Sequence, residues 1–152
     1  MNFRPATDQD GPAVRRVVFA ALEEYGLVPD PNGTDKDLFQ IESFYFARGG
    51  YFEVIEVDGQ VVGSWGLLPS KPGACELRKM YLAAPHRGQG FGRKMLARAL
   101  TRAKQMKFTR VELETASALT EAIAMYKNHG FKPAHGPIAT SRCDQAYEIE
   151  LV

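Results

Sequence analysis

At 152 residues, with 45% apolar and 24% charged side chains, the chain has the size and composition of one soluble globular domain, residues 1–152. A net charge of +1 argues against a dedicated nucleic-acid surface or an anionic membrane partner, and no window approaches the ~20 apolar residues that would span a bilayer. The opening residues, with Arg4, Asp8 and Asp10 among them, do not read as a signal peptide, and the isolated Cys75 and Cys143 suit a reducing compartment, so a cytoplasmic protein is expected.

In chain order, Asn2 to Ala6 reads as a first strand, and Thr7 or Asp8 can cap the helix that follows. Val14, Val17, Val18, Ala21, Leu22 and Tyr25 recur at intervals of three and four, an apolar stripe that stops at Gly26. Pro29, Pro31 and Asn32-Gly33 mark a loop. Thr34 is then expected to cap a second helix over about Asp35 to Ala47, with Leu38, Ile41, Phe44 and Tyr45 facing inward. Tyr51 to Val57 and Gln60 to Leu68 alternate as strands around Asp58-Gly59, a dipeptide that accepts the positive φ angles of a two-residue hairpin turn.

Cys75 to Leu82 is the next expected strand and Gly92 to Lys107 a long helix, with Met95, Leu96, Ala99, Leu100, Ala103 and Met106 inward. The basic outer side of that helix, including Arg98 and Arg102, reads as a solvated face. Arg110 to Thr115 is a further strand, Thr120 to His129 a helix closed by Gly130, and Lys132 onward with Gln145 to Val152 supply the last strands.

Between a strand and a helix lies Arg87-Gly88-Gln89-Gly90-Phe91-Gly92. Alternate glycines remove side chains from a loop, so that successive backbone N–H groups can converge on an anion while the helix start adds its partial positive charge. Such a unit cradles a pyrophosphate. It lacks the Lys-Ser/Thr ending of a Walker A loop, since Gly92 leads into Arg93-Lys94-Met95. A dinucleotide fingerprint would need its third glycine one residue later, although Glu112 stands about 20 positions on. A glycine-rich turn without a ligand is the remaining alternative.

The Arg-x-x-Gly-x-Gly pattern, with a strand before and a helix behind, resembles motif A of the GNAT superfamily of N-acetyltransferases. A second stretch, Ala122-Ile123-Ala124-Met125-Tyr126-Lys127-Asn128-His129-Gly130-Phe131, resembles another motif of that family, and the likeness runs over most of the chain. The resemblance implies an α+β fold, layered α/β/α, around a mixed, mostly antiparallel sheet of about seven strands with four helices. It implies acetyl-CoA as cosubstrate and transfer of the acetyl group to a primary amine by direct attack on the thioester. Homodimers are common among such proteins; no interface stands out here. A non-catalytic acyl-CoA-binding sensor is the alternative from another class.

By the same likeness, the coenzyme would be held by Met80, Tyr81 and Leu82 on the strand, by Arg87, Gly88, Gln89, Gly90, Phe91, Gly92 and Arg93 around the loop, and by Asn128. The Met80 backbone N–H would face the thioester carbonyl and Leu82 would pair with the pantetheine arm. Tyr126 takes the position of the family's proton donor to the departing thiolate, for which a phenol of pKa ~10 is suited. Packing as an aromatic anchor is its structural alternative. Glu76 takes the position of a strand glutamate that deprotonates the amine, directly or through water, and an ion pair with Arg78 is the alternative for it. The motif often begins with Asn seven residues before the tyrosine; Leu119 stands there, so that contact would pass to Ser117, Thr115 or Asn128.

His86, His129 and His135, with the two cysteines, lack metal-ligand spacing, and no metal is expected. The acceptor would lie near Glu23, Glu24, Tyr25, Asp30, Asp35 and the loop from His135 to Asp144, where carboxylates and an aromatic would suit a cationic amine. A small molecule, a protein N-terminus and a lysine side chain all stay open.

Overall fold

Alternation of apolar residues along the strands builds a two-sided sheet, seen in a computed structural model that describes residues 1–152. The strands are β1 (Asn2–Pro5), β2 (Tyr51–Val57), β3 (Gln60–Pro69), β4 (Ala74–Leu82), β5 (Arg110–Thr115), β6 (Lys132–Pro133) and β7 (Gln145–Glu150). They lie in the order β1-β2-β3-β4-β5-β7-β6. Every neighbouring pair is antiparallel except β4 and β5. The helices are α1 (Gly11–Glu24), α2 (Ile41–Phe44), α3 (Phe91–Gln105) and α4 (Thr120–Asn128). The expected mixed sheet of seven strands with four helices is what the chain forms.

Two apolar clusters cover the two faces of the sheet. On one face Phe52 and Val54 meet Val14, Val18 and Leu22 of α1 and Ile41 of α2. On the other, Tyr51, Ile55 and Trp65 meet Met95, Leu96 and Ala99 of α3 and Ile123 and Tyr126 of α4. Successive residues of β2 thus alternate between the clusters, the period-two signature of a strand buried on both sides. Asp58 (φ 52°) and Gly59 (φ 76°) make the tight turn between β2 and β3, as their residue types predict.

The second helix is shorter than expected. Instead of one helix over Asp35–Ala47, the segment makes a 3-10 turn at Lys36–Phe39, the single turn α2, and another 3-10 turn at Phe46–Arg48. Leu38, Ile41 and Tyr45 are buried as the apolar spacing foresaw, but so are the charged Asp35 and Asp37. Delivering both carboxylates and the apolar set to the interior is more than one stripe of a regular helix can do, and the backbone turns instead. Thr34 caps nothing; Asp35 takes the position before the first turn.

The basic face of α3 is exposed as expected at Arg93, Lys94 and Lys104, but two of its arginines also serve the sheet. Arg98 binds the carboxylate of Glu53 with two hydrogen bonds of 2.7 Å, and Trp65 donates its indole N–H to the same carboxylate at 3.0 Å. Glu53 is 1% exposed, a charge that would be costly without these partners. Arg102 stacks over the Tyr51 ring at 4.2 Å.

Candidate active site

β4 and β5 pair in parallel only from Ala74 to Glu76 and from Arg110 to Glu112. Beyond that point their residues form opposite walls of a cleft of about 240 Å³, with Leu77 to Leu82 on one side and Leu113 to Ala116 on the other. The parting has a local cause. Against β3, Ser64 pairs with Tyr81 and Gly66 with Arg78, so Lys79 and Met80 together oppose the single residue Trp65. This is a β-bulge, with Lys79 at φ 54° and its carbonyl accepting the Ser64 hydroxyl at 2.8 Å. A bulge bends its strand and leaves the extra residue out of the ladder. Met80, Tyr81 and Leu82 all line the cleft.

At one end of the cleft lies the glycine loop. Gly88 (φ 77°) and Gly90 (φ 85°) adopt left-handed backbone, and a Cβ on either would meet nothing within 4 Å, so the space before the main chain is open. Gly90 is the residue before α3 and has no side chain to cap the first amides of the helix. Those N–H groups lack intrahelical acceptors and carry the positive end of the helix dipole. The loop therefore fits a phosphate-bearing ligand on its own geometry.

Arg87 is not free in the loop. Its Nε donates to the Leu82 carbonyl at 2.9 Å and a terminal nitrogen to Glu24 at 2.6 Å, with the guanidinium 5.4 Å from the Tyr25 ring. Gln89 donates to the Pro85 carbonyl at 3.2 Å, and Phe91 stacks on His86 at 6.2 Å. Gly88 and Gly92 line the cleft; Gln89, Gly90, Phe91 and Arg93 belong to the loop and first helical turn beyond its walls. Asn128 is exposed on α4 and is not part of the cleft.

Of the two residues expected to carry the chemistry, both reach the cleft. Tyr126, on α4, is 6% exposed. Burial, then the neighbouring Tyr81 and Cys143, push its phenol well above the ordinary tyrosine range, and Tyr81 is pushed up to about 12 chiefly by burial. Both hydroxyls keep their protons at any working pH. Glu76, on β4, forms the ion pair with Arg78 at 3.1 Å and also lines the cleft.

A buried ionic cluster at the other end of the cleft was not foreseen. Asp35 accepts two hydrogen bonds from Arg142, at 2.8 and 2.7 Å, and one from the Asp30 backbone N–H at 2.8 Å, and it lies 3.3 Å from the Lys79 ammonium. Asp37 is 3.2 Å from the same ammonium and accepts the Tyr45 hydroxyl. Arg78 reaches Tyr45 and the Thr34 carbonyl at 3.3 and 3.5 Å. Burial alone would raise Asp35, but Arg142, the Asp30 N–H and Lys79 outweigh it and hold this carboxyl below its ordinary value. Burial lowers Lys79, against the opposing pull of Asp37. Asp35 is thus committed to internal partners and is not the open carboxylate expected for a cationic acceptor. Arg78-Lys79, adjacent charges in a mostly apolar strand, was the one sequence signal of the cluster.

Cys75 is a buried core thiol pushed up to about 12 by burial; Cys143 lines the cleft, with burial raising it to about 11. No group of three or more His, Cys, Asp or Glu is gathered to hold a metal ion, and no helix is long and apolar enough to cross a membrane.

A split between two parallel strands, with an open glycine turn at the head of a helix, makes a cleft that fits an elongated ligand with a phosphate at one end. Residues 17–131 match the Acetyltransferase (GNAT) family, and the chain belongs to that family. It is 40% identical over 135 residues to the uncharacterized N-acetyltransferase YjgM of Escherichia coli strain K12, covering 86% of this chain and 81% of that one. It is 35% identical over 102 residues to rat N-acetyltransferase 8B, covering 63% of this chain but only 46% of the relative. A GNAT-family acetyltransferase from Staphylococcus aureus Mu50 has the same fold, with a TM-score of 0.92 at 21% identity over 99% of both chains. So has a phosphinothricin acetyltransferase from Sinorhizobium meliloti solved in complex with AcCoA, with a TM-score of 0.78 at 16% identity, covering 99% of this chain and 88% of that one. Acetyl transfer from acetyl-CoA is accordingly this chain's activity, and a purely coenzyme-binding module is not favoured.

Proposed function

We propose that residues 1–152 work as a single cytoplasmic N-acetyltransferase domain that acetylates a primary amine by direct attack on the thioester. One observation carries the reading: a glycine-lined anion cradle and a protonated, buried tyrosine share one cleft. When bound, the coenzyme supplies an activated acyl group. The main-chain N–H groups of residues 88–92 and the start of α3 would hold its pyrophosphate, with Arg93 adding positive charge on the exposed side. Leu82 would extend a ladder to the pantetheine arm, and Met80, in the bulge, would turn its N–H to the thioester oxygen.

Glu76 takes a proton from the ammonium, directly or through a water, which gives the nitrogen its lone pair. As the carbon–nitrogen bond forms and the carbon–sulfur bond breaks, Tyr126 gives its proton to the sulfur, and the second proton leaving the nitrogen returns, through water, to the phenolate oxygen. Burial disfavours the phenolate, so the hydroxyl is protonated before the step and its proton leaves only as another returns. No covalent intermediate on the protein is required. The two thiols, Cys75 and Cys143, are unpaired, in keeping with a reducing compartment.

The test is release of free thiol from acetyl-CoA on addition of amines, with the acetylated product identified by mass spectrometry. Thiol and N-acetyl product should appear in equal amounts. Tight acetyl-CoA binding with no thiol release from any amine would leave a sensor as the better account.

A further inference from the structure

The acceptor end of the cleft presents cations whose counter-ions lie behind the wall. Arg78, Lys79 and Arg142 all line the opening, whereas Asp35 and Asp37 do not, and these two are only 0% and 2% exposed. Arg142 commits two of its donors to Asp35, and a guanidinium has five. Of the carboxylates that do reach the wall, Glu76 is engaged by Arg78. Glu114 accepts the backbone N–H groups of Ala139 and Thr140 at 2.8 and 3.0 Å. Glu121 stands in the first turn of α4. Arg142 also lies against Tyr81, which in turn neighbours Tyr126. Arg142, Tyr81 and Tyr126 line one cleft, so an anionic group bound at Arg142 would share it with the reacting amine.

Resting on the acetyl-transfer reading above, we infer that the acceptor carries a carboxylate close to its amine, as an amino acid does, and that Arg142 binds that carboxylate. The arrangement also explains why Asp35 is buried so completely. It holds the two terminal nitrogens of Arg142 from behind and leaves Nε and the remaining N–H donors for a ligand's carboxylate.

The experiment compares matched acceptors by thiol release: the common amino acids, their amides, and the amines left by removing the carboxylate. The best free acid should exceed its amide in kcat/KM by about 10- to 100-fold, the scale of a charge-assisted bidentate contact. Arg142→Gln should erase most of that advantage through KM rather than kcat, and Arg142→Lys should restore part of it. Should the glutamine variant fail to fold, the acid-to-amide ratio of the wild type decides alone. Equal use of acids, amides and decarboxylated amines would overturn the inference while leaving acetyl transfer standing. Thiol release from none of these, nor from lysine-bearing or free N-terminal peptides, with acetyl-CoA still bound, would overturn both.

Discussion

The two ends of the cleft are built from different materials. At the end proposed for the coenzyme the surface is main chain: Gly88 and Gly90 in left-handed conformation, the uncapped start of α3, and the bulge at Lys79–Met80. At the end proposed for the acceptor it is side chain: Arg142 and Asp35 meet across 107 positions of sequence, and Lys79 joins them from β4. A pyrophosphate is the same in every acyl-coenzyme A, so a backbone cradle serves it whatever the neighbouring side chains are. An acceptor differs from enzyme to enzyme, and recognition there falls to residues that can change without disturbing the sheet.

The difference also explains what could be read before the structure was known. The coenzyme end is local: six consecutive residues between a strand and a helix, with glycine at the positions that need positive φ. Asp58-Gly59 and Gly130 (φ 101°) were legible for the same reason. The acceptor end depends on long-range pairs, and nothing in the segment from Asp35 to Ala47 announces that its carboxylates turn inward. The apolar spacing of Leu38, Ile41 and Tyr45 imitates a helix, and only their meeting with Lys79 and Arg142 breaks it into turns. Arg98 on α3 shows the same blindness, because Glu53, its partner, lies on another element 45 positions away.

The sharpest way to break the contrast is Gly90→Val. A β-branched residue at φ 85° is strained, and its side chain would fill the open space before the loop. Acetyl-CoA affinity measured by calorimetry should fall at least ~100-fold while circular dichroism stays native in form. Affinity within a few-fold of wild type would mean that the phosphates are held elsewhere.

At the other end, Asp35→Asn should act on stability first. It leaves Lys79 and Arg142 buried with one carboxylate fewer, a loss of about 3–5 kcal/mol for breaking such a pair. Denaturant midpoints would measure it, and a change under 1 kcal/mol would show the cluster to be dispensable. The wild type should show the same dependence on acidification. Since folding holds Asp35 below its unfolded value, its contribution is complete above about pH 4 and drains away as pH falls through the lower folded value. The asparagine variant should lose that part of the acid sensitivity.

Between the two ends stands the chemistry. Tyr126→Phe should lower kcat by about 100-fold with coenzyme affinity unchanged, as expected for a positioned acid. The wild type should not lose this donor as pH rises to 10, because burial keeps the phenol above its ordinary range. An unaltered kcat in the phenylalanine variant would reduce Tyr126 to a packing residue against Phe131, whose ring lies 5.6 Å away. Glu76→Gln should cost about 10-fold in kcat/KM. An unchanged kcat/KM would assign the proton to water alone.

The smallest effect tests whether the two ends communicate. Arg87 belongs to the coenzyme loop, yet it is tied to Glu24 at the end of α1, beside Tyr25 in the cleft wall. An anion arriving at the loop must compete with Glu24 for this guanidinium. Glu24→Gln removes the competitor, so acetyl-CoA should bind tighter, by about 2- to 5-fold, the range of a partly exposed ion pair. The gain should shrink as salt rises from 0.05 to 0.5 M, roughly the range over which such pairs are screened. If the variant binds the coenzyme more weakly, Glu24 holds Arg87 in the posture that binding needs, and the tie is a brace for the loop, not a rival of the phosphates.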